Sequence, residues 1–251
     1  MVHLNELHEK YAEKGLVVLG LTNEARGTVD AFCEEFGPKY PIVIESGDSM
    51  RGFRAGSFPT IVLIGPDGRI ASTANPSDQA IEAALENVRL RPEMPKSLSA
   101  VTKAMRKDQY AKALGKLSKA KEEDAAVAKE MTEWILWFGQ SSLDGAIKDQ
   151  DAGNVYMAWQ SLDYLGDAFK GHEIGSNAAD AAKAIMKDKA LKNEVKAGKL
   201  LDELRAEMAD AATAKSALKC LKPILTKKYA DTKAGKEARK LADELEAAAN
   251  K

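Results

Sequence analysis

The sequence predicts a chain in two parts, an α/β part over residues 1–90 and an all-α part over residues 97–251. Short apolar runs alternate with stretches of helical periodicity in the first part, which is typical of α/β domains. The second part shows helical periodicity alone. Between them, residues 91–96 hold two prolines within four positions, which predicts a linker.

The first part is predicted to begin with a helix and a short apolar strand. Leu4, Leu7 and Tyr11 recur at helical spacing, and Gly15 is expected to close that helix. Residues 16–21 are apolar throughout, which predicts a parallel strand that is buried on both faces and covered by helices above and below.

A second helix and an edge strand are predicted next. Thr28 is the expected N-cap of a helix that Gly37 and Pro38 end. Residues 40–44 predict an edge strand, because Pro41 cannot donate a hydrogen bond to a ladder.

The first part is predicted to end in a hairpin and a helix. Residues 60–65 and 69–73 flank a Pro-Asp-Gly turn at 66–68, which predicts two antiparallel strands. Ser77 is the expected N-cap of a final helix, whose apolar positions recur over residues 81–88.

Four of these features follow one another in the order found in TlpA-like (redoxin-type) thioredoxin domains, which residues 1–90 resemble. They are the helix closed by Gly15 with its apolar strand, the edge strand at 40–45, the dipeptide Phe58-Pro59, and the turn at Asp67-Gly68. The resemblance implies thiol-disulfide exchange and a cis peptide bond between Phe58 and Pro59. It also implies that Phe58 and Pro59 bind the substrate, which pairs there as an extended strand.

The family's Cys-x-x-Cys motif is absent from this sequence, whose two cysteines are Cys33 and Cys220. In the family, a central strand leads into that motif and lies between the hairpin and the strand at 16–21. We therefore expect a fragment or a misplaced start, with no catalytic residue in the chain and a gap beside 16–21. Such a chain is inactive by itself, and it is expected to bind a hydrophobic dye or to self-associate.

The second part carries a weak internal repeat with a spacing of sixty residues. The repeat pairs Leu165 with Leu225, Phe169 with Tyr229, Gly175 with Gly235, Ala178 with Ala238, Ala182 with Ala242 and Ile185 with Leu245. Small residues at matched positions let paired helices approach closely, as in helical-hairpin arrays. Residues 228–238 resemble the inter-helix turn of tetratricopeptide-like repeats, which implies a protein-binding role.

The remaining candidate side chains favour structural roles. Cys33 and Cys220 lie on apolar helix faces where a small thiol packs well, and a redox role or a disulfide between them is the minor alternative. His3 and His8 are expected at the solvated surface and His172 in a turn. The aromatic residues at core spacing are Trp134, Trp137 and Phe138. No ligand set at metal-binding spacing and no phosphate-binding loop occurs, so neither a metal nor another cofactor is expected.

The composition limits which classes of partner and which cellular compartment the sequence predicts. The net charge of -1 gives no electrostatic argument for nucleic acid, and no run of about 18 apolar residues could span a bilayer. The expected partner is a protein with a cysteine or an extended strand. As it stands the chain lacks a signal-peptide pattern and predicts a cytoplasmic protein. Members of the resembled family are commonly exported or membrane-tethered, so we expect a periplasmic or cell-envelope protein if a signal peptide and the Cys-x-x-Cys segment precede Met1.

Three functions remain open at this point. The first is a thiol-disulfide oxidoreductase whose catalytic segment is missing from the sequence. The second is a non-catalytic thioredoxin-like module joined to a helical scaffold, and the third is an interaction protein whose helical part binds the partner. The sequence favours the oxidoreductase for the complete protein and no catalysis for this polypeptide.

Overall fold

In the computed structural model, described over residues 2–44, 53, 59–66, 68–86, 88–209, 211 and 213–249, the chain divides into two units, Met1–Arg91 and Pro92–Lys251. The elements of the first unit are, in order, α1 (Val2–Tyr11), β1 (Gly20–Thr22), α2 (Arg26–Phe36), β2 (Ile42–Ile44), β3 (Leu63–Ile64), β4 (Ile70–Ser72) and α3 (Asp78–Leu85). A 3-10 turn, Ala12–Lys14, follows α1.

The strands form two separate two-stranded sheets. β1 pairs with β2 in parallel, with Leu21 beside Val43, which confirms the predicted pairing of these segments. β3 pairs with β4 in antiparallel fashion, with Leu63 opposite Ser72, so the predicted hairpin is confirmed with shorter strands. No strand among the described residues joins the other edge of β1. The absent central strand at this edge stays a prediction.

The prediction of a strand over residues 16–21, buried on both faces, is wrong. β1 begins only at Gly20, and the side chains of Val17 and Leu19 are 72% and 55% exposed. The physical reason is that β1 has a neighbour on one edge only within the described part of the chain. Residues 16–19 therefore lack a ladder on either side, and nothing described covers their odd-numbered side chains.

Three predicted helix boundaries are confirmed. Gly15 follows the 3-10 turn with φ of 109°, and Gly37 ends α2 with φ of 54°. Both values lie in the left-handed region, which glycine adopts without steric cost. Ser77 caps α3, because its Oγ accepts a hydrogen bond from the backbone N–H of Ala80 at 3.2 Å.

The second helix differs from its prediction at its start. α2 begins at Arg26 with Ala25 at the N-cap, so the expected cap at Thr28 is wrong. The carbonyl of Ala25 accepts the backbone N–H of Thr28 at 3.0 Å. The N–H of Thr28 therefore has a partner although the N-cap residue, Ala25, has no side-chain oxygen. Val29 is the buried residue of α2, whereas Phe36 is half exposed.

The second unit is helical wherever it has regular structure among the described residues, as predicted. Its helices are α4 (Ser99–Met105), α5 (Tyr110–Leu117), α6 (Ala125–Asp151), α7 (Val155–Ala168), α8 (Glu173–Lys187), α9 (Lys189–Ala209), α10 (Ala214–Leu221) and α11 (Lys233–Ala249). Consecutive helices pack against each other, most extensively α6 with α7 and α7 with α8. One core extends from α4 to the start of α9, and a second joins α9, α10 and α11.

Two turns of the second unit share their local geometry at positions sixty residues apart. The carbonyls of Phe169 and Tyr229 each accept the backbone N–H three residues later, at 2.9 and 3.0 Å. A Cβ atom on Gly175 or on Gly235 would lie less than 3.0 Å from the same two carbonyl oxygens. Only glycine therefore fits at the two positions that the spacing of sixty pairs.

Candidate functional site

The predicted substrate-binding dipeptide lies directly before the β3–β4 hairpin. Pro59 and Thr60 are exposed at the entrance to β3. Phe58 lies outside the described residues, and so does the geometry of its peptide bond to Pro59. The cis bond at this position therefore stays a prediction.

Leu63 fixes the hairpin in the core of the first unit. Its side chain is buried together with Leu7 and Tyr11 of α1 and Ile81 of α3. Because successive side chains of a strand point to opposite faces, Ile64 lies on the other side of the hairpin, where it is exposed. The hairpin that follows Pro59 and the helix α1 therefore share one hydrophobic core.

Backbone hydrogen bonds close the turn between β3 and β4. The N–H of Gly65 donates to the carbonyl of Arg69 at 2.8 Å, and the N–H of Gly68 donates to the carbonyl of Gly65 at 3.0 Å. Gly68 has φ of 76°, a conformation that glycine adopts readily. These hydrogen bonds therefore hold β3 and β4 in their antiparallel arrangement.

Polar contacts tie α1 to α3 around this core. The hydroxyl of Tyr11 donates to Glu82 Oε1 at 2.9 Å, and Lys10 Nζ pairs with Asp78 Oδ2 at 2.6 Å. The hydrogen bond to Asp78, followed by that to Tyr11, raises the pKa of the Lys10 ammonium above its usual value. Both members of the ion pair are about half exposed, so the fully buried Tyr11 ring contributes more to holding the two helices together.

The N-terminal half of α1 is held to the end of α2. The side-chain amide of Asn5 donates to the carbonyl of Gly37 at 3.2 Å and accepts the N–H of Lys39 at 2.9 Å. The ammonium of Lys39 also pairs with Glu9. Since the first turn of α1 has no acidic side chain, the partial positive charge of its N-terminus is not offset there.

Within the described part of the chain, no strand pairs with the second edge of β1, which lies among apolar residues. The N–H of Gly20 donates to the carbonyl of Pro41 at 3.0 Å, so the backbone groups of Leu21 point away from β2 in this parallel pair. Exposure alternates along residues 16–22 with a period of two, which puts Val17 and Leu19 in phase with Leu21. The segment contains no charged residue and no proline.

The two cysteines lie in different units and are both half-buried free thiols. Cys33 is in the last turns of α2, and Cys220 is near the end of α10, where its Sγ contacts the carbonyl oxygen of Ser216 at 3.5 Å. Neither thiol stands at a helix N-terminus, where reactive cysteines are commonly found. Their surroundings fit structural roles.

His3 and His172 are placed as the sequence predicted, whereas the expected solvated position of His8 is wrong. His172 lies in the turn before α8, where its Nδ1 accepts the backbone N–H of Ile174 at 3.2 Å. His3 is exposed, whereas His8 is half-buried on α1. The described residues contain no group of three or more His, Cys, Asp or Glu side chains arranged to hold a metal ion. No described helix combines the length and the apolar character needed to cross a membrane.

The aromatic residues of α6 pack at the margin of the core, as their spacing predicted. The rings of Trp134 and Phe138 are stacked with centroids 5.5 Å apart. The centroid of the Tyr110 ring lies 5.2 Å from that of Phe138 and 5.3 Å from that of the buried Phe169 ring. Trp137 is half-buried.

A groove of about 570 Å³ between α7 and α8 was not predicted from the sequence. Trp159, Asp163 and Asp167 line it along α7, and small residues of both helices also line it. The ammonium of Lys199 lies 3.9 Å from the centroid of the Trp159 ring, a distance typical of cation–π contacts. The only sequence signal for this groove was the spacing of Trp159, Asp163 and Asp167 on one helix face.

Tyr156 joins α7 to α9 through its hydroxyl group. The hydroxyl donates to Asp202 Oδ2 at 2.9 Å and accepts from Gln160 Nε2 at 3.0 Å. Burial of the ring, and then the hydrogen bond to Asp202, raises the pKa of Tyr156 to about 12. The protonated hydroxyl is thus the form that the folded state favours.

Comparison with known proteins gives matches of partial length. The thiol-disulfide oxidoreductase ResA of Bacillus thuringiensis (strain Al Hakam) is 36% identical over 72 residues, which are 28% of this chain and 42% of that protein. ResA of Geobacillus kaustophilus (strain HTA426) is 31% identical over 93 residues, which are 36% of this chain and 53% of that protein. The chain thus spans about half the length of the curated relatives it matches.

No family model matches the chain, and no solved structure does. The partial matches support a thiol-disulfide oxidoreductase-like segment of the thioredoxin-like, redoxin type.

Proposed function

We propose that the first unit is the substrate-binding part of a thioredoxin-like thiol-disulfide oxidoreductase domain. The partial likeness to ResA proteins supports this, and so does the order of the motifs at Gly15, residues 40–45, Phe58-Pro59 and Asp67-Gly68. We assign the matching stretch to the first unit because those motifs lie there. The same reasoning makes residues 1–90 and 97–251 the two domains of the chain.

The observation that carries the proposal is the hairpin held on the core of α1. Leu63 is buried against Leu7 and Tyr11, while Pro59 stays exposed just before β3. Proline has no backbone N–H, so the chain at Pro59 cannot complete an internal ladder. In the resembled family the residue before this proline, here Phe58, pairs with an extended segment of a protein substrate, and we assign Phe58 and Pro59 the same role.

The exchange itself requires two neighbouring thiols. A thiolate attacks one sulfur of the substrate disulfide, forms a mixed disulfide and releases the other substrate sulfur as a thiolate. The second thiol of the pair then attacks the enzyme sulfur of the mixed disulfide and frees the substrate in reduced form. The sequence holds no such neighbouring pair, since its two cysteines, Cys33 and Cys220, lie in different units.

In the proposed complete domain, a strand that ends in Cys-x-x-Cys leads into α1. The unneutralised N-terminus of α1 would favour the thiolate form of a cysteine placed there. The 251-residue chain is then a binding part without catalysis of its own.

A fusion experiment tests this proposal. The strand and Cys-x-x-Cys segment of the Geobacillus kaustophilus ResA protein is joined in frame ahead of Val2, and reduction of insulin disulfides by dithiothreitol is followed by turbidity. We expect the fusion to accelerate the reaction, whereas the 251-residue chain and a fusion with both grafted cysteines changed to serine do not. Within the fusion, Pro59→Ala should slow turnover, and Pro66→Ala, at the exposed turn, should not. A folded fusion that is no faster than its serine version contradicts the proposal.

A second function, protein binding by the helical unit, is favoured by the groove between α7 and α8. Its aromatic and acidic lining along Trp159, Asp163 and Asp167 offers both apolar and polar contacts to a partner segment. The shared turn geometry at Gly175 and Gly235 supports an array of helical hairpins of the tetratricopeptide-like kind.

A pull-down with residues 1–92 and residues 96–251 as separate baits tests this second function. Partners retained by 96–251 should be lost on Trp159→Ala and kept on Met157→Ala, since Met157 is an exposed residue of the same helix that does not line the groove. Retention on 1–92 alone would assign the binding to the first unit instead.

A further inference from the structure

Positive charge is concentrated on the last two helices of the second unit. Residues 214–240, which comprise α10, the turn after it and the first half of α11, contain nine basic and two acidic residues and so carry a net charge of +7. The whole chain has a net charge of -1, so the rest of the chain is acidic. All nine basic residues of the segment are exposed to solvent.

The basic side chains of α10 lie on the face opposite its core contacts. Lys215, Lys219 and the C-cap residue Lys222 recur at i, i+4 and i+7, which places them on one side of the helix. The buried residues of α10 are Ala217 and Leu221, on the other side.

α11 has the same arrangement over its first half. Lys236, Arg239 and Lys240 are exposed at i, i+3 and i+4, whereas Ala238 and Ala242 are buried. α10 and α11 pack in one core, together with α9. We call the three exposed cations of α10 and the three of α11 the basic surface.

The carboxylates of the chain leave most of the basic surface without a counter-charge. Glu237, one of the two acidic residues of the segment, pairs with Arg205 of α9 at 2.8 Å. Lys240 lies 3.9 Å from Glu244. Among the residues that the structure describes, no carboxylate pairs with the other five members of the basic surface.

The fold itself does not require this charge. The counterpart of residues 214–240 at the spacing of sixty is 154–180, which shares the tight turn at Gly175 and Gly235 but holds four acidic residues and one basic residue. Lysines stand four residues apart on both α10 and α11, a like-charge spacing that lowers helix stability. The basic surface therefore opposes folding by self-repulsion, and an anionic partner would relieve that repulsion.

We propose that the basic surface binds the anionic headgroups of a phospholipid membrane. Five of its six cations are lysines, which act as point charges, whereas arginine is the residue that reads nucleic acids through paired hydrogen bonds. No residue of 214–240, all of which the structure describes, has an exposed large apolar or aromatic side chain that could stack on a base. Clusters of roughly four to eight lysines on a helical surface are typical of sites for anionic lipids.

The contact is electrostatic and peripheral. Each lysine near an anionic membrane contributes about a factor of five in affinity. Because no large apolar side chain of the segment is exposed, nothing in it would insert among the acyl chains. The attraction falls off within a Debye length, so salt should release the bound chain.

Co-sedimentation with vesicles tests the proposal. The 251-residue chain is mixed at low ionic strength with vesicles of phosphatidylcholine alone, or of phosphatidylcholine and phosphatidylglycerol in equal parts. We expect binding to the mixed vesicles only, and release in about 0.5 M sodium chloride, where the Debye length is roughly 4 Å. Binding to both kinds of vesicle, binding to neither, or binding that salt does not reduce would overturn the proposal.

Removal of the α10 charges tests where the membrane binds. The variant with the three substitutions Lys215→Gln, Lys219→Gln and Lys222→Gln should bind the mixed vesicles about tenfold more weakly or worse.

The matched control removes three exposed lysines from α4, α5 and the turn between them, with the same change in net charge. Its substitutions are Lys103→Gln, Lys107→Gln and Lys112→Gln. We expect this control to weaken binding by less than about threefold, since only the long-range field of the chain changes. Equal weakening by the two triple variants would show that net charge alone matters, and it would reject the basic surface as the site.

Competition with duplex DNA distinguishes the membrane from a nucleic acid. With DNA phosphate added in an amount equal to the phosphatidylglycerol phosphate, we expect the chain to stay on the vesicles. Transfer of the chain to the DNA would reject the membrane as the occupant. The proposal rests on residues of the second unit alone, so an inactive fusion in the insulin assay would leave it unchanged.

Discussion

Gly175 and Gly235 each lie against the carbonyl oxygen of an aromatic residue in the preceding turn. A side chain at either position would meet backbone, which cannot move aside as a flexible side chain can. We expect Gly175→Ala and Gly235→Ala each to lower the free energy of unfolding by about 1–3 kcal/mol, measured by urea unfolding.

Gly115 is the matched control for these two glycines. It lies in α5 with open space where a Cβ would be placed, so Gly115→Ala should raise the free energy of unfolding by about 0.4–1 kcal/mol. Three similar, small effects would show that the close approach in the two turns is not a constraint.

Tyr156 makes the free energy of unfolding of the second unit depend on pH in the alkaline range. Its pKa is raised from 10.0 to about 12 in the folded protein, so the folded state disfavours the phenolate. The resulting stabilisation is complete below pH 10 and is lost as the pH rises through about 12. Urea midpoints between pH 9 and pH 12 should therefore fall more steeply in the wild-type chain than in Tyr156→Phe. Parallel profiles for the two proteins would contradict this assignment.

Single residues also show which features a local sequence pattern can predict. Gly15, Gly37 and Ser77 were predicted correctly because a cap depends on its own backbone and on the next few residues. Thr28 was assigned wrongly, since the carbonyl of Ala25 starts the helix earlier. The bond between Tyr11 and Glu82 could not be predicted, because it joins residues 71 positions apart.

Among the elements, the β3–β4 hairpin and the segment before β1 give opposite lessons. The hairpin followed from a turn signal within one short stretch, and its antiparallel pairing is confirmed. Residues 16–21 look the same in sequence whether a sheet continues on both sides or stops. Their exposure depends on which strands lie beside them, and an apolar run carries no information on its neighbours. At the candidate site, the sequence suggested the segment around Pro59, which stays a prediction, while its attachment to α1 through Leu63 required the structure.

Phe169 at the end of α7 and Tyr229, sixty residues later, test whether equivalent positions of the repeat both contribute to stability. Phe169 is fully buried, and Tyr229 is half-buried against the second core. We expect Phe169→Ala to cost about 3–5 kcal/mol and Tyr229→Ala to cost less, on the order of 2–3 kcal/mol. A loss within roughly 0.5 kcal/mol for Tyr229→Ala, as at exposed positions, would mean that the repeat is accidental.

At the scale of the whole molecule, each unit has core residues of its own, with Tyr11 in the core of the first and Phe169 in the larger of the two cores of the second. We therefore expect two calorimetric transitions. Tyr11→Ala should shift one transition and Phe169→Ala the other, and residues 92–251 alone should retain the second. A single transition that both substitutions shift together would show that the two units unfold as one.

The central claim is that the first unit is a thioredoxin-like domain with room for one more strand beside β1. Amide hydrogen exchange tests it most directly, in the 251-residue chain and in the fusion that carries the ResA strand, both at concentrations where they are monomeric. In the chain alone, the amide of Gly20 should be protected by its bond to Pro41, while those of Leu19 and Leu21 exchange fast. In the fusion, Leu19 and Leu21 should become protected as well. Amides of Leu19 and Leu21 that still exchange fast in a folded fusion would contradict the account.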